Sequence, residues 1–177
     1  MTSAIHILNG LPLEGQRLKR LAEKVERVFG VLTEVLPSAV QIDRAFDQSR
    51  RQYNSTALLA SLVGQSFTSK IKDILIVDVD LYIPVLTFVF GEAQLNGTAA
   101  IVSTHRLQNQ FYGLPRSDES MMERLEKEVI HELGHTFGLY HCRQFECVMR
   151  SSTYMEEIDL KKADPCESCS VLLKKGS

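Results

Sequence analysis

The sequence predicts a mixed α/β fold of the α+β kind: a twisted mixed sheet with helices, followed by a small irregular C-terminal lobe. Three observations carry this. Leu18, Leu21, Val25 and Val28 recur at alternating three- and four-residue steps between Lys, Arg and Glu, as on an amphipathic helix. "DILIVDVDLYI" (73–83) is an apolar run of strand length, suited to the centre of a partly parallel sheet. Asn96-Gly97 separates two β-prone segments, "TFVFGEAQL" and "TAAIVSTHRL". That dipeptide reads as a type I′ hairpin turn, whose two central residues both need positive φ.

Taken in order, "AIHIL" (4–8) reads as a short buried strand, and the first helix spans Glu14 to Phe29 with Gly30 placed to end it. "SAVQIDRAF" (38–46) alternates apolar and polar residues and predicts a second strand, and "TALLASLV" (56–63) predicts a buried helix. Ser117 caps a later helix with Asp118 and Glu119 in its first turn, facing the positive end of the dipole. That helix runs through "MMERLEKEVIHELGHTF" and stops near Gly138. Beyond it the periodicity fails. The expected division is a sheet-and-helix lobe over 1–138 and a small lobe over 139–177, together one domain.

A chain of 177 residues suits one domain and can bury a real core. Its net charge of −2 gives no basic excess, so neither nucleic acid nor an anionic membrane is an expected partner. The longest uncharged run, Gln52 to Ser69, is too polar to span a bilayer. No basic region precedes the short apolar run at the N-terminus, so a cytoplasmic location is expected. A monomer is expected as well. In a reducing compartment the four cysteines, all beyond residue 141, favour metal binding over disulfides.

Chemistry concentrates in "HELGHTFGLYHC" (131–142). His131 and His135 stand one helical turn apart, roughly 6 Å along the axis and on one face. Two such imidazoles can share a tetrahedral zinc, and Glu132 can reach a water on it. A catalytic zinc needs three protein ligands and one open position. Gly138 tolerates the left-handed conformation that turns the chain, so His141 can approach from another direction as third ligand. Zinc so held lowers the pKa of its water to about 7, and Glu132 is the general base for attack on a carbonyl. A helix carrying His-Glu-x-x-His by chance is the bland alternative; Gly138 and His141 at fixed offsets count against it. His6 and His105 lie outside the pattern and receive no role.

Cys142 and Cys147, then Cys166 and Cys169, form two short spacings bridged by a longer loop, which suits a closed structural zinc site of four thiolates. Two disulfides or a redox Cys-x-x-Cys remain open on spacing alone. The small lobe has few large hydrophobes, so a metal would contribute folding free energy its core lacks.

The pattern His131-Glu132-x-x-His135-x-x-Gly138-x-x-His141 matches the metzincin zinc signature, and Met149 stands where that superfamily has the methionine of a tight turn below the metal. Joined to Cys142, Cys147, Cys166 and Cys169, it closely resembles the archaemetzincins, a family of zinc peptidases. "FVFGEA" (88–93) and "RRQY" (50–53) are also similar to family segments, whereas Pro165 departs from an expected aromatic residue. The resemblance implies a metzincin-like architecture, two Zn2+ per chain, and a zinc metallopeptidase acting on peptides or proteins. It also implies an antiparallel edge strand along the cleft, which by chain order holds Gly91, Glu92 and Ala93. Some relatives are regarded as aminopeptidases, which need an acidic group near the cleft to hold the α-amine; Glu92, Asp78 and Asp80 are candidates by location only, with solvated or structural roles as the alternative. The competing expectation is a zinc-stabilised binding module whose site of three histidines is idle or regulatory. An esterase or amidase would use the same chemistry.

Overall fold

The computed structural model describes residues 2–11, 15–65 and 70–176; Glu14, the expected first residue of the first helix, lies outside them. In chain order the elements are β1 (Ala4–Asn9), α1 (Gly15–Phe29), β2 (Thr33–Pro37), β3 (Phe46–Asp47), β4 (Gln52–Asn54) and α2 (Ser55–Gln65). Then follow β5 (Ile71–Val77), β6 (Leu81–Tyr82), β7 (Gly91–Ala93), β8 (Ala99–Ser103), α3 (Asp118–Thr136), α4 (Met155–Asp159) and α5 (Glu167–Gly176).

The main sheet has the order β2-β1-β5-β8-β7. Its first four strands are parallel, and β7 is the antiparallel edge. Both faces are covered, as parallel strands require. Side chains alternate between faces along each strand: Ile74 and Ile76 of β5 join Ile5, Ile7, Ala100 and Val102 beneath α1 and α3. Leu75 and Val77 join Ala99 and Ile101 beneath α2. On α1, the stripe Leu18, Leu21, Val25 and Phe29 is buried, each such side chain contributing roughly 1.5–3 kcal/mol. Gly30 ends that helix at φ +65°. A second, three-stranded sheet, β3-β4-β6, flanks the first.

Four expectations are corrected. The strand expected over 38–46 lies earlier, at Thr33–Pro37; Pro37 has no N–H to donate and closes an edge strand. The apolar and polar alternation of 38–46 instead places Val40, Ile42 and Ala45 against α2 through a 3-10 turn over Ile42–Ala45. The run 73–83 is two strands, because after Val77 the chain leaves the main sheet and re-enters pairing at Leu81 beside Tyr53. Asp78 and Asp80 at that crossing bind Thr104 and Arg106.

The hairpin at Asn96-Gly97 exists, but with a five-residue connection over 94–98 rather than a two-residue type I′ turn. Asn96 has φ +53°, whereas Gly97 is not among the residues at positive φ. Tertiary partners shape this loop: Asn96 N–H donates to the His135 carbonyl (2.8 Å), and Lys72 Nζ donates to the carbonyls of Gly97 (2.7 Å) and Thr136 (2.8 Å). The hairpin tip is thereby pinned to the C-terminal end of α3. Finally, the C-terminal lobe is less irregular than expected, since α5 buries Cys169 and Leu173 one turn apart. No described helix is long and apolar enough to cross a membrane.

Candidate metal centres and cleft

Helix α3 begins where Ser117, in an extended conformation, accepts a hydrogen bond from Ser120 N–H (3.2 Å). At its other end Gly138 N–H donates to the His135 carbonyl (2.9 Å) and Leu139 N–H to that of Gly134 (3.0 Å). This Schellman pair requires the left-handed φ of +87° that Gly138 supplies. The chain therefore folds back, and His141 meets the two helical histidines: the ring centroids of His131, His135 and His141 stand 4.7, 4.9 and 5.3 Å apart.

The rings are also oriented. His131 Nδ1–H donates to the Val148 carbonyl (2.8 Å) and His135 Nδ1–H to that of Leu139 (2.7 Å). Both Nε2 lone pairs then face inward, 3.2 Å apart. Two lone pairs at that distance repel unless a cation lies between them. Tetrahedral zinc with nitrogen at about 2.0–2.1 Å asks for a separation of about 3.3 Å. Burial pushes the His131 imidazole well below its usual range, with Lys161 and His135 adding to the effect. It lowers His135 and His141 as well. All three are held neutral, the form that ligates a metal.

Glu132 is buried beside them, and desolvation first, then Glu128, raises its carboxyl well above the ordinary range. The opposite wall is Gly91: a Cβ there would stand 2.8 Å from Glu132 Cγ and Oε1. A cavity of about 330 Å³ opens over this group, with 86–91 as one wall, 151–153 as the other, and His131, Glu132 and His141 between them. A larger groove of about 630 Å³ between residues 39–45 and 57–61 has no His, Cys, Asp or Glu in its lining among the described residues.

Met149 is fully buried beneath the histidines, on the backbone of Gly134, where a Cβ would come within 2.9 Å of its Cε. Gly134, an unspecified position of the motif, is thus the contact surface for the methionine. Its signal in the sequence is a glycine inside an otherwise strong helix.

The four cysteines converge below. Cys142 and Cys166 sulfurs lie 3.8 Å apart, as do those of Cys147 and Cys169. All are free thiols, far beyond the ~2.05 Å of a disulfide. Four sulfurs at about 2.3 Å around a tetrahedral zinc would be about 3.8 Å apart, so the cage fits that ion. Cys166 N–H points at Cys147 Sγ (3.3 Å) and Gln144 N–H at Cys142 Sγ (3.4 Å), partners suited to thiolates. Each set, the four sulfurs and the three imidazoles, draws its ligand atoms within 4.8 Å of one another. His6 and His105 stay outside both, beside Asp73 and Phe111.

Of the edge-strand residues, Gly91 and Ala93 turn their backbone groups away from β8. Ser103 N–H to the Phe90 carbonyl and Gln94 N–H to the Ala99 carbonyl set the alternation. Glu92 points elsewhere: its carboxylate accepts from the hydroxyls of Ser55 and Thr56 at the start of α2. Asp78 and Asp80 are likewise engaged, with Thr104 and Gln108, and with Arg106 and Gln52.

Sheet, helix end and histidine triad together define a metzincin-type zinc metallopeptidase. The profile of peptidase family M54 matches residues 18–175. The archaemetzincin of Methanocaldococcus jannaschii is 42% identical over 154 residues, covering 86% of this chain and 82% of that one. A crystal structure of a zinc-dependent peptidase from Methanocorpusculum labreanum superposes with a TM-score of 0.85 at 30% identity, covering 96% of this chain and 99% of that chain. The archaemetzincin of Methanopyrus kandleri gives 0.82 at 31% identity, over 99% and 95%. The chain belongs to peptidase family M54, with the archaemetzincins.

Proposed function

We propose that this chain hydrolyses peptide bonds with His131, His135 and His141 holding a catalytic zinc, while Cys142, Cys147, Cys166 and Cys169 hold a second, structural zinc. The observation that carries this is the convergence of three neutral imidazoles beside a buried carboxyl in a cleft. When bound, the catalytic ion polarises the scissile carbonyl and lowers the pKa of water. Beside a cation held by the three imidazoles, the ionised form of Glu132 is favoured against the burial that raises it. Glu132 then takes one proton from the attacking water at its carboxylate and passes it to the departing amide nitrogen. The Val148 and Leu139 carbonyls keep the His131 and His135 rings in the ligating tautomer.

An extended substrate adds to the free edge at Gly91 and Ala93 through main-chain hydrogen bonds. Gly138 supplies the turn to His141, and Met149 forms an apolar floor. We read 1–138 and 139–177 as the two lobes of one catalytic domain, the second built around the cysteine cage.

The carboxylates of Glu92, Asp78 and Asp80 are committed to internal partners, so the reading asks for no free substrate amino terminus. Replacing Glu132 with Gln and loading both sites with zinc tests the core claim. Hydrolysis should fall by at least about 10²-fold, the range of general-base contributions. Undiminished turnover refutes the assignment, and N-acetylated against free peptides tests the amine requirement.

A further inference from the structure

Two buried side chains of opposite charge type adjoin the site: Glu128 lines the floor of the cleft, and Lys161 lies behind it. Glu128 stands one turn before Glu132 on α3, and Lys161 follows α4; their side chains are 4% and 1% exposed. A hydrophobic pair of similar volume often serves stability as well or better than such an ion pair. Net stability alone thus gives no reason for a lysine here over an apolar residue.

Its geometry does. The ammonium has three donors and meets three acceptors: Glu128 Oε1 at 3.3 Å, the Arg150 carbonyl at 2.8 Å and the Val148 carbonyl at 3.5 Å. The two carbonyls flank Met149. That of Val148 is also the acceptor of His131 Nδ1–H. An unbroken polar chain thus runs from Lys161 through Val148 to the first imidazole of the triad, with Glu128 as its countercharge.

We propose that Lys161 is a positioning residue: anchored at 2.8 Å on the Arg150 carbonyl and reaching the Val148 carbonyl at 3.5 Å, it holds the turn around Met149 and so orients His131 for zinc, and the C-terminal lobe sets the affinity of the catalytic site. This rests on the zinc reading above. Partners that hold a metal ligand in this way change affinity or activity about 10–100-fold when removed.

The test uses the full chain as Lys161→Met and Lys161→Gln, each also combined with Glu128→Gln to remove the orphaned charge. Zinc affinity of the histidine site is measured by competition with a chelator, alongside zinc stoichiometry, thermal midpoint, kcat and KM. The expected result is a folded protein that keeps its cysteine-site zinc and binds the histidine-site zinc about 10–100-fold more weakly. The Met variants, with no donor, should be weaker than the Gln variants, and kcat should fall more than KM rises.

Folded variants with parental zinc affinity overturn the proposal. So does failure of all four to fold, which would make the pair a folding determinant. If the parent protein itself binds no zinc at the histidines, the functional reading fails first, which keeps the two failures apart.

Discussion

Substituting Gly91 with Ala tests how closely the edge strand and the general base are fitted. The φ of Gly91 lies outside the left-handed region, so a Cβ adds no backbone strain; its effect is one of space alone. The new methyl would meet Ile101 O at 2.7 Å and Glu132 Cγ and Oε1 at 2.8 Å. Ordinary carbon contacts sit at about 3.5–4.0 Å, so about 0.7 Å or more must be recovered. Ile101 is fully buried and its pairing with Glu92 holds β7 in the sheet. The Glu132 side chain can yield to its own contact, whereas the 2.7 Å approach to the Ile101 carbonyl is to backbone, so β7 must shift as well and both walls around Glu132 move. A displacement approaching 1 Å costs on the order of 10²-fold in rate, or about 2.7 kcal/mol at the barrier. Overpacking should also lower stability by about 1–3 kcal/mol. Steady-state kinetics on zinc-loaded protein, with urea unfolding alongside, reads both. A Gly91→Ala protein that folds, binds zinc and keeps the parental kcat would refute the claim that this glycine makes room for Glu132.

Gly138→Ala should cost about 1–2 kcal/mol, the penalty of a left-handed L-residue, because its φ is +87° and its Cβ would meet nothing nearer than 3.7 Å. Urea midpoints measure the loss, and zinc affinity should fall with it as His141 shifts. Ser152 carries a buried hydroxyl with no hydrogen-bond partner among the described residues. Ser152→Ala should therefore leave the thermal midpoint unchanged or raise it, and a clear drop would reveal a missing partner. Asp47 is held down to about 2 by the Ser49 and Tyr82 hydroxyls. Since its folded value is below the unfolded one, its stabilisation is present above about pH 4 and is lost as pH falls toward 2. Asp47→Asn should flatten the pH dependence of the urea midpoint in that window. Cys142→Ser should weaken zinc binding at the histidine site as well as at the cysteines; a folded variant with parental histidine-site affinity would show that the two are independent.

What could be read from the chain was whatever is encoded locally. Ser117, Gly30 and Gly138 mark helix ends because capping and left-handed φ are properties of a few neighbouring residues. The offsets of His131, His135 and His141 carry the helix and its turn with them, and the structure brings all three together. What escaped is set by distant partners. The Asn96-Gly97 loop takes its shape from His135, Lys72 and Thr136 instead of from a two-residue turn rule. The alternation over 38–46 was real burial, but against α2 and not in a sheet. Helix α5 was hidden because Cys169 counts as apolar for packing and as a ligand for chemistry, and spacing cannot separate the two uses. Lys161 has no local signature at all; only its three acceptors, from positions 128, 148 and 150, give it meaning.

Those acceptors also bear on why a thiol adjoins the last histidine. His131 and His135 are held by α3, but His141 lies past the Schellman turn, where no helix fixes it. The next residue is tied twice: Cys142 N–H donates to the Met149 carbonyl (2.9 Å), and its sulfur lies 3.8 Å from that of Cys166. Met149 in turn sits between the two carbonyls drawn to Lys161. The segment carrying the third imidazole is thus fastened to the same turn that orients the first. His141 turns to the cleft and Cys142 to the cage, so one short stretch answers to both. A rigid triad follows from this shared anchor, since a free His141 would lose ordering entropy on every binding of the ion.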